Sequence, residues 1–465
     1  MSNKKIFAII FLLAFLMRLT ALFSFAEEKS LLYVNDSQTY LQTAKNILEH
    51  GVYSMEISET PHQDNFRTPL YPLFLLPFVW LRTSLYVPAI VQSIIMSFGI
   101  GLVFWLGQKI FSRKAAITAA VLFALEPTGA LISAQIMAEA IFTPLFLGAL
   151  FSVLMYIKTS KTKFLWYGSS LLAMSALARP IAFPLFIILP TAVWFVNHHI
   201  KTFSVVVNDK YKKIARHAAA SLGIFFLIIS PWLYFIFFTV HSSSFSSIVW
   251  TQGYEYRARY FDEWRAKRGA PDEDRLPYAD MRPVNETLDA RAIAPIKLVV
   301  TNYLKTHFPQ YLWFHFIRVP YLFTDSGYAS ILNGIPQLNF NYDTTHGTVS
   351  GGFLEQIDWR QPSQTVIRVE NQPLFLVLFF ADLFFIVVAL LAVANPLIFF
   401  WRQRQWSKEI IFLIGIILLY SAIASPIGGP RFRIPINPLL FLLAADTILI
   451  LNKFRSDTKP LTQKM

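Results

Sequence analysis

The chain has 465 residues, of which 55% are hydrophobic and 15% are charged, and it contains no cysteine. Soluble proteins are about 25% charged on average, so this chain has too little charge to cover the surface of a water-soluble protein of its length. The composition also excludes a disordered chain, a disulfide framework and a cysteine-based zinc or iron–sulfur site. The sequence therefore predicts an all-α polytopic membrane protein.

Ten apolar stretches predict transmembrane helices. A hydrocarbon core of about 30 Å requires about 20 apolar residues per helix, and most of the stretches reach that length. They lie at residues 6–25, 86–110, 115–133, 138–157, 164–178, 181–197, 217–239, 373–400, 409–425 and 435–452. Residues 69–81 are apolar but too short to span and contain three prolines, so they predict an interfacial or re-entrant segment.

The first apolar stretch also has features of a cleaved signal peptide. It follows Lys4 and Lys5 and ends near Ala26. Its apolar region is about 20 residues long, whereas that of a signal peptide is usually about 7–15. Arg18 inside the stretch predicts a buried polar partner, which a retained helix would supply. We expect the segment to be retained as a span.

Basic residues in short loops predict the orientation of the spans. With a cytoplasmic N-terminus, the cytoplasmic loops and tails hold many basic residues and few acids, in the segments 1–5, 109–114, 158–163, 198–216, 402–408 and 453–465. Ten spans return the basic C-terminal tail to the same side. The net charge of +13 is therefore explained by membrane topology, and no basic patch with stacking aromatic residues indicates nucleic-acid binding.

Three regions follow from this topology. Residues 1–239 contain spans one to seven and a first external segment at 26–85, residues 240–372 form a large external cap, and residues 373–465 contain spans eight to ten and the basic tail. The cap is predicted to be mixed. Its helices are expected over 254–268 and 292–323, followed by loops or short strands over 324–372, where Gly, Asn, Asp and Ser are frequent.

An acidic residue stands at the start of the first external helix. After Asp36, the apolar residues Tyr40, Ala44, Ile47 and Leu48 share one helical face, and Gly51 is expected to end the helix. Asp is a common N-cap residue, so Asp36 has two interpretations, a helix cap and a functional carboxylate. Periodicity alone leaves both open.

Further polar motifs flank the predicted spans. They are Arg67-Thr-Pro-Leu-Tyr71-Pro, Met-Ala-Glu139, Arg179-Pro and Gly-Pro-Arg431-Phe-Arg433-Ile-Pro. Together with the Asp36-Ser-x-x-Tyr40 helix, and in this order, they resemble the GT-C membrane glycosyltransferases, specifically the bacterial protein-mannosyltransferase-like branch (glycosyltransferase family 39 and its relatives). The resemblance covers essentially the whole chain, and the segments that begin at Asp36 and Arg67 are its most specific parts.

The resemblance implies a GT-C fold in the inner or plasma membrane and an inverting sugar transfer on its external face. The donor would be a polyprenyl-phosphate sugar, and the acceptor a protein, a lipid or a polysaccharide. Asp36 occupies the position of the family's proposed general base, and Glu139 would assist it in catalysis. A cationic site for the lipid phosphate and its sugar suits bidentate arginines. We expect these substrate-binding residues to be Tyr40, Arg67, Tyr71, Arg179, Arg431 and Arg433.

Several alternatives stay open. Glu139 is equally well interpreted as an interfacial acid paired with an arginine, Glu126 fits the family pattern less well, and headgroup contact would account for Arg431 and Arg433. No cofactor is expected, and no Asp-x-Asp pair stands beside Asp36, so we predict metal independence. Two other functions are a transporter or flippase for lipid-linked saccharides and a non-catalytic assembly partner. The absence of an internal repeat disfavours the transporter.

Overall fold

The computed structural model describes residues 1–24, 35–198, 207–277, 290–328, 372–404, 407–426 and 429–457. Within these ranges every regular element is a helix and no strand occurs. The predicted all-α fold is confirmed. The loops or short strands predicted for 324–372 lie almost entirely outside the described residues, which reach only to 328 before resuming at 372.

The first region begins with a long apolar helix. Its helices are α1 (Asn3–Ser24), α2 (Asn35–His50), α3 (Leu70–Trp80), α4 (Tyr86–Ile110), α5 (Arg113–Leu125), α6 (Pro127–Ala134), α7 (Glu139–Thr159), α8 (Thr162–Ala178), a 3₁₀ helix (Pro180–Ile187), α9 (Ile188–His198) and α10 (Val207–Tyr234), which continues as a π-helical turn (Phe235–Val240).

The remaining helices form the cap and the C-terminal region. They are α11 (Ile248–Gln252), a π-helical turn (Gly253–Ala258), α12 (Arg259–Ala266), a 3₁₀ turn (Asp272–Asp274), α13 (Ala290–Thr306), α14 (Phe308–Arg318), α15 (Tyr321–Thr324), α16 (Gln372–Gln403), α17 (Lys408–Ala424), α18 (Pro430–Arg433) and α19 (Asn437–Asp457). The two helical segments predicted in the cap are present, although the second is divided into α13, α14 and α15.

Five helices in the described residues are long and apolar enough to cross a membrane. They are Asn3–Ser24, Tyr86–Ile110, Glu139–Thr159, Lys212–Val240 and Leu376–Arg402. The bent pair α5 and α6 would make a sixth if it counts as one span. These helices suggest a multi-pass membrane protein. The predicted count of ten also requires shorter helices such as α8 and α17, and it stays a prediction.

One predicted span is divided by a bend in the structure. The stretch 115–133 is divided into α5 and α6, which are bent by 53°. Pro127 begins the second helix, and the Glu126 carboxylate caps it by accepting hydrogen bonds from the backbone N–H groups of Thr128 (2.9 Å) and Gly129 (2.7 Å). Between the predicted spans 164–178 and 181–197, the extended backbone of Arg179 separates α8 from the 3₁₀ helix that begins at Pro180.

The long helices pack around α7. Helix α7 contacts α4 and α8, α8 contacts α10, and α19 contacts α5 and α16. A large apolar core runs through this bundle, and a second, smaller one that includes Tyr40 and Tyr71 joins α2 and α3 to it. A separate aromatic cluster that includes Tyr254, Phe261 and Phe314 forms the core of the cap. The short helix α3 packs against α2, as expected for a segment too short to span.

Helix direction places the polar motifs at one end of the bundle. Helix α7 begins at Glu139 and α8 ends beside Arg179, and the ion pair between these two side chains shows that the two helix ends meet. At the other end, the Lys158 ammonium donates to the carbonyl of Lys109. The acidic and arginine motifs therefore lie opposite the lysine-rich loops.

Candidate active site: an ion-pair network at the wall of a cavity

Five charged side chains from distant parts of the sequence form a continuous ion-pair network. Arg67 Nη2 lies 2.5 Å from Asp36 Oδ1, and Arg431 Nη1 lies 2.6 Å from Asp36 Oδ2. The Arg431 Nε donates to Glu139 Oε1, which also lies 2.6 Å from Arg179 Nη1. We call Asp36, Arg67, Glu139, Arg179 and Arg431 the cavity network. Three guanidinium cations share two carboxylates, which leaves one net positive charge.

Helix α2 brings Asp36 to the network from its first turn. Ser37 Oγ donates to the carbonyl of Ile136 at 2.9 Å, which attaches this turn to the segment just before α7. Both Asp36 oxygens are engaged by arginines, so the carboxylate is not simply a helix cap. The first turn of a helix also favours a negative charge, because the backbone N–H groups there are unpaired.

The loop before α3 holds Arg67 in a fixed position. Its Nε donates to Thr39 Oγ1 at 2.8 Å, and its guanidinium carbon lies 4.4 Å from the centre of the Tyr40 ring. Tyr53 donates its hydroxyl to the Arg67 carbonyl at 2.9 Å. The side chain is only 6% exposed, so its orientation is determined by these contacts rather than by solvent.

Asp64 organises the loop that carries Arg67. Its Oδ2 accepts from the Met55 N–H at 2.8 Å and from Ser54 Oγ at 3.0 Å, and its Oδ1 accepts from the Phe66 N–H at 2.8 Å. Burial of this carboxyl raises its pKa to about 6, although these three hydrogen bonds act in the opposite direction.

The two acids of the network differ in access. The Asp36 side chain is 26% exposed, whereas the Glu139 side chain is 1% exposed and does not line the cavity. Glu139 lies behind Arg179 and Arg431 and can act on the cavity only through them. This placement favours the paired interpretation of Glu139.

A cavity of about 420 Å³ opens in front of the network. Asp36, Arg67, Arg179 and Arg431 lie on its wall together with Tyr40. Much of the remaining lining is apolar and comes from the segment after Arg179 and from the cap, at Ile181, Phe183, Pro184, Phe245, Ile248, Val249 and Trp250. A compact charged patch therefore adjoins an extended apolar surface.

Hydrogen bonds join the cap to the segment that carries Arg67 at the rim of this cavity. Ser246 Oγ donates to the Phe66 carbonyl at 2.6 Å, and Asn65 Nδ2 donates to the Ser244 carbonyl at 2.7 Å. The backbone N–H of Ser247 donates to the Asn65 carbonyl at 3.1 Å. The cap is thus attached next to Arg67.

Arginines control the ionisation of Asp36. Burial alone would raise the pKa of this carboxyl, but the guanidinium groups of Arg67 and Arg431 outweigh that effect and hold the pKa well below its usual value. Asp36 is therefore ionised across the physiological range, and it is a weak base as long as both arginines contact it.

Two residues predicted at the site lie apart from the network. Tyr71 is fully buried behind Tyr40, with ring centres 4.8 Å apart, and donates its hydroxyl to Gln92 Oε1 at 2.7 Å. Neither Tyr71 nor Arg433 lines the cavity. Tyr71 supports Tyr40 and does not reach the charged groups itself.

Arg433 belongs to a second buried cluster. It donates from Nη1 to the Leu322 carbonyl at 2.9 Å and from Nε to Asn437 Oδ1 at 2.9 Å, and its guanidinium carbon lies 3.8 Å from the centre of the Phe385 ring. The acids whose charges act on it are Glu126, Asp325 and Asp382, and we call these four residues the sealed cluster.

The residues that the cap contributes to the cavity were not predicted from the sequence. Arg257, Gln252 and Trp250 line it from α11 and the π-helical turn that follows. The only local signal was a group of aromatic and charged residues soon after a predicted span, and such a group also fits an ordinary folded cap.

The described residues contain no group of three or more His, Cys, Asp or Glu side chains placed to hold a metal ion. The Asp36 and Glu139 carboxylates are instead bridged by Arg431. Comparison of the chain with models of known protein families and with curated proteins finds no match.

Proposed function

We propose that the chain is a membrane-embedded inverting glycosyltransferase that uses a polyprenyl-phosphate sugar as donor. The observation that carries the proposal is the cavity network, in which three arginines and two carboxylates meet beside an apolar surface. The motif resemblance to the GT-C glycosyltransferases agrees with it.

The charge of the network suits a lipid phosphodiester. The donor carries one negative charge at the phosphate between sugar and lipid, and the network has one unbalanced positive charge. Arginine recognises phosphate oxygens through paired N–H donors, so Arg67 or Arg431 can exchange a carboxylate oxygen for a phosphate oxygen without losing hydrogen bonds. Arg179 would stabilise the departing phosphate from the floor of the cavity.

Donor binding would also activate Asp36. When an arginine turns from Asp36 to the phosphate, the carboxylate loses one of the cations that keep its pKa low, and its basicity rises. Asp36 then accepts the proton of the acceptor nucleophile as that nucleophile bonds to the anomeric carbon. The bond between that carbon and the phosphate oxygen breaks, and polyprenyl phosphate leaves.

The remaining parts of the proposal concern the membrane. Ten spans, with both termini in the cytoplasm, would place the lysine-rich loops inside and the cavity network outside, in agreement with the positive-inside rule. The described five or six long helices, supplemented by shorter ones such as α8 and α17, would supply these spans. The apolar cavity wall would adjoin the outer leaflet of the cell membrane, and the cap would cover it as in the GT-C fold.

Donor turnover tests the proposal. Purified full-length protein is incubated with radiolabelled polyprenyl-phosphate sugars of several kinds and with membrane extracts as a source of acceptor. We expect one donor to lose its sugar to an acceptor and to release polyprenyl phosphate. Protein that binds these donors with no release of lipid phosphate in any combination would contradict the transferase and support the transporter alternative.

Labelling of single cysteines tests the orientation, since the native chain has no cysteine. A cysteine that replaces Glu273, in the 3₁₀ turn of the cap, should react with an impermeant maleimide added to intact cells. A cysteine that replaces Lys161, between α7 and α8, should react only after the cells are opened. Reversed labelling would contradict an external active site.

A further inference from the structure

The cap also contributes to the lining of the cavity. Its polar lining comes from the loop before α11, from α11 and from the π-helical turn, and consists of Ser243, Ser244, Ser246, Trp250, Gln252 and Arg257. Arg257 is the charged member of this set. The other members carry hydroxyl, amide and indole groups, and Lys297 contacts this set from outside the lining by donating to Ser243 Oγ at 2.7 Å.

Arg257 differs from the other arginines of the cavity in its partners. Arg67, Arg179 and Arg431 each contact a carboxylate. Arg257 has no carboxylate partner among the described residues, and its hydrogen bond runs from Nη2 to the Ile423 carbonyl at 2.9 Å. A guanidinium has five N–H donors, so this bond fixes one edge of the group and leaves other donors for the cavity.

Arg257 and the nearby Arg259 lie in different backbone elements. Residues Gly253–Ala258 form a π-helical turn, a rare geometry that re-aims side chains and recurs at functional sites. Arg259 begins α12 and pairs with Glu255 at 3.0 Å and with Glu263 at 3.4 Å, away from the cavity lining. Arg259 is therefore neutralised by its two carboxylate partners, whereas Arg257 lines the cavity.

We propose that Arg257 forms a second anion-binding subsite, which recognises a phosphate or carboxylate group on the acceptor. The inference rests on the proposed function, in which the cavity network binds the donor phosphate. That network has one unbalanced positive charge, which one phosphodiester satisfies, and Arg257 adds a second positive charge from the cap. The acceptor is thus an acidic molecule whose anionic group lies at the cap while its nucleophile faces Asp36.

Arg257 also lies at the end of α17, where His315 contacts the adjacent carbonyl of Ala422 at 2.8 Å. A cation at a helix C-terminus stabilises the helix, so a purely structural role predicts a change in thermal stability alone. The anion subsite predicts a change in ligand affinity. The experiment therefore measures both quantities.

Calorimetric titration of inorganic phosphate into the purified full-length protein, saturated beforehand with farnesyl phosphate, tests the proposal. We expect phosphate to bind beside the farnesyl phosphate and Arg257→Gln to weaken that binding about tenfold or more, since hydrogen bonds to charged groups contribute about 1.5–3 kcal/mol. Arg257→Lys should retain part of the affinity. The control Arg259→Gln should bind both probes as the native protein does, and acetate in place of phosphate shows whether the subsite prefers a carboxylate.

Two results would overturn the subsite. One is no phosphate binding by the native protein, and the other is unchanged phosphate affinity in Arg257→Gln, whether or not its melting temperature falls. Failure of farnesyl phosphate to bind would instead contradict the proposed donor site. Phosphate binding that still depends on Arg257 in that case would continue to support the subsite.

Discussion

Arg431 and Arg433 are two residues apart on the same one-turn helix, yet they enter opposite environments. Arg431 is 27% exposed, lines the cavity and bridges Asp36 and Glu139. Arg433 is 1% exposed and is enclosed by the Leu322 carbonyl, Asn437 and the Phe385 ring. Both arginines neutralise acids, but only Arg431 can exchange its partner for a molecule that enters from outside.

The difference shows that access to a cavity, rather than the number of charges, separates a reactive ion pair from a structural one. In the sealed cluster, Asp382 accepts from the Ser326 N–H at 2.8 Å, and Thr128 Oγ1 donates to the Ser326 carbonyl at 2.9 Å. These bonds and Arg433 attach the end of the cap to α6, α16 and α18. The sealed cluster therefore joins these elements without lining the cavity.

The largest effect that we predict is on the stability of variants at Arg433 and Arg431. Arg433→Met should lower the free energy of unfolding by about 3–5 kcal/mol, because it leaves buried acids without their cation. Arg431→Met should cost about 1–3 kcal/mol, since Asp36 keeps Arg67 and Glu139 keeps Arg179. Thermal unfolding in detergent, followed by tryptophan fluorescence, measures both. A larger loss of unfolding free energy in Arg431→Met than in Arg433→Met would contradict the distinction between the two ion-pair clusters.

A pH profile tests the loop that carries Arg67. The pKa of Asp64 is about 6 in the folded protein, above its ordinary value of 3.8. Between these values the folded state retains a proton that the unfolded state has lost, so stability falls as pH rises from 4 to 6. At about 1.4 kcal/mol per pKa unit, this decrease amounts to about 3 kcal/mol.

Asp64→Asn should remove that decrease, because the amide does not titrate. The measurement is the difference between the melting temperatures of the native protein and the variant at each pH from 4 to 7. An equally steep profile in the variant would show that another group is responsible. Glu49→Gln, an exposed change in α2, serves as the control.

The smallest of these effects concerns ligand binding. Arg431→Gln should weaken farnesyl phosphate binding about 10- to 100-fold, the equivalent of losing a charge-assisted hydrogen bond. Arg433→Lys should leave the affinity unchanged, because Arg433 does not line the cavity. Calorimetric titration of farnesyl phosphate into both variants at the same ionic strength measures the difference in affinity. Equal weakening in both would mean that the sealed cluster also determines the site.

Parts of the fold and of the candidate site could be predicted from local patterns in the sequence. The spacing of Tyr40, Ala44 and Leu48 predicted α2, which begins at Asn35. Glu139 begins a long apolar helix and Arg179 follows the next one, so antiparallel packing was sufficient to bring these two side chains together. Pro127 marked a possible break, but the apolar composition on either side of it hid the 53° bend.

Other parts depend on contacts that no local pattern contains. Arg431 and Arg433 belong to one motif, and their separation arises because residues two apart on a helical turn point in widely different directions. The position of Arg257 in the cavity depends on a π-helical turn and on the packing of the cap against α17. Such contacts between distant residues are fixed only when the chain folds.

The most direct measurement compares binding and turnover in Asp36→Asn. Loss of the carboxylate frees Arg67 and Arg431, so farnesyl phosphate should bind at least as tightly as it does to the native protein. Sugar transfer should fall about 10²- to 10⁴-fold, because the amide accepts no proton. Glu49→Gln should retain both properties. Full turnover by Asp36→Asn would contradict the account of Asp36 as the base at this cavity.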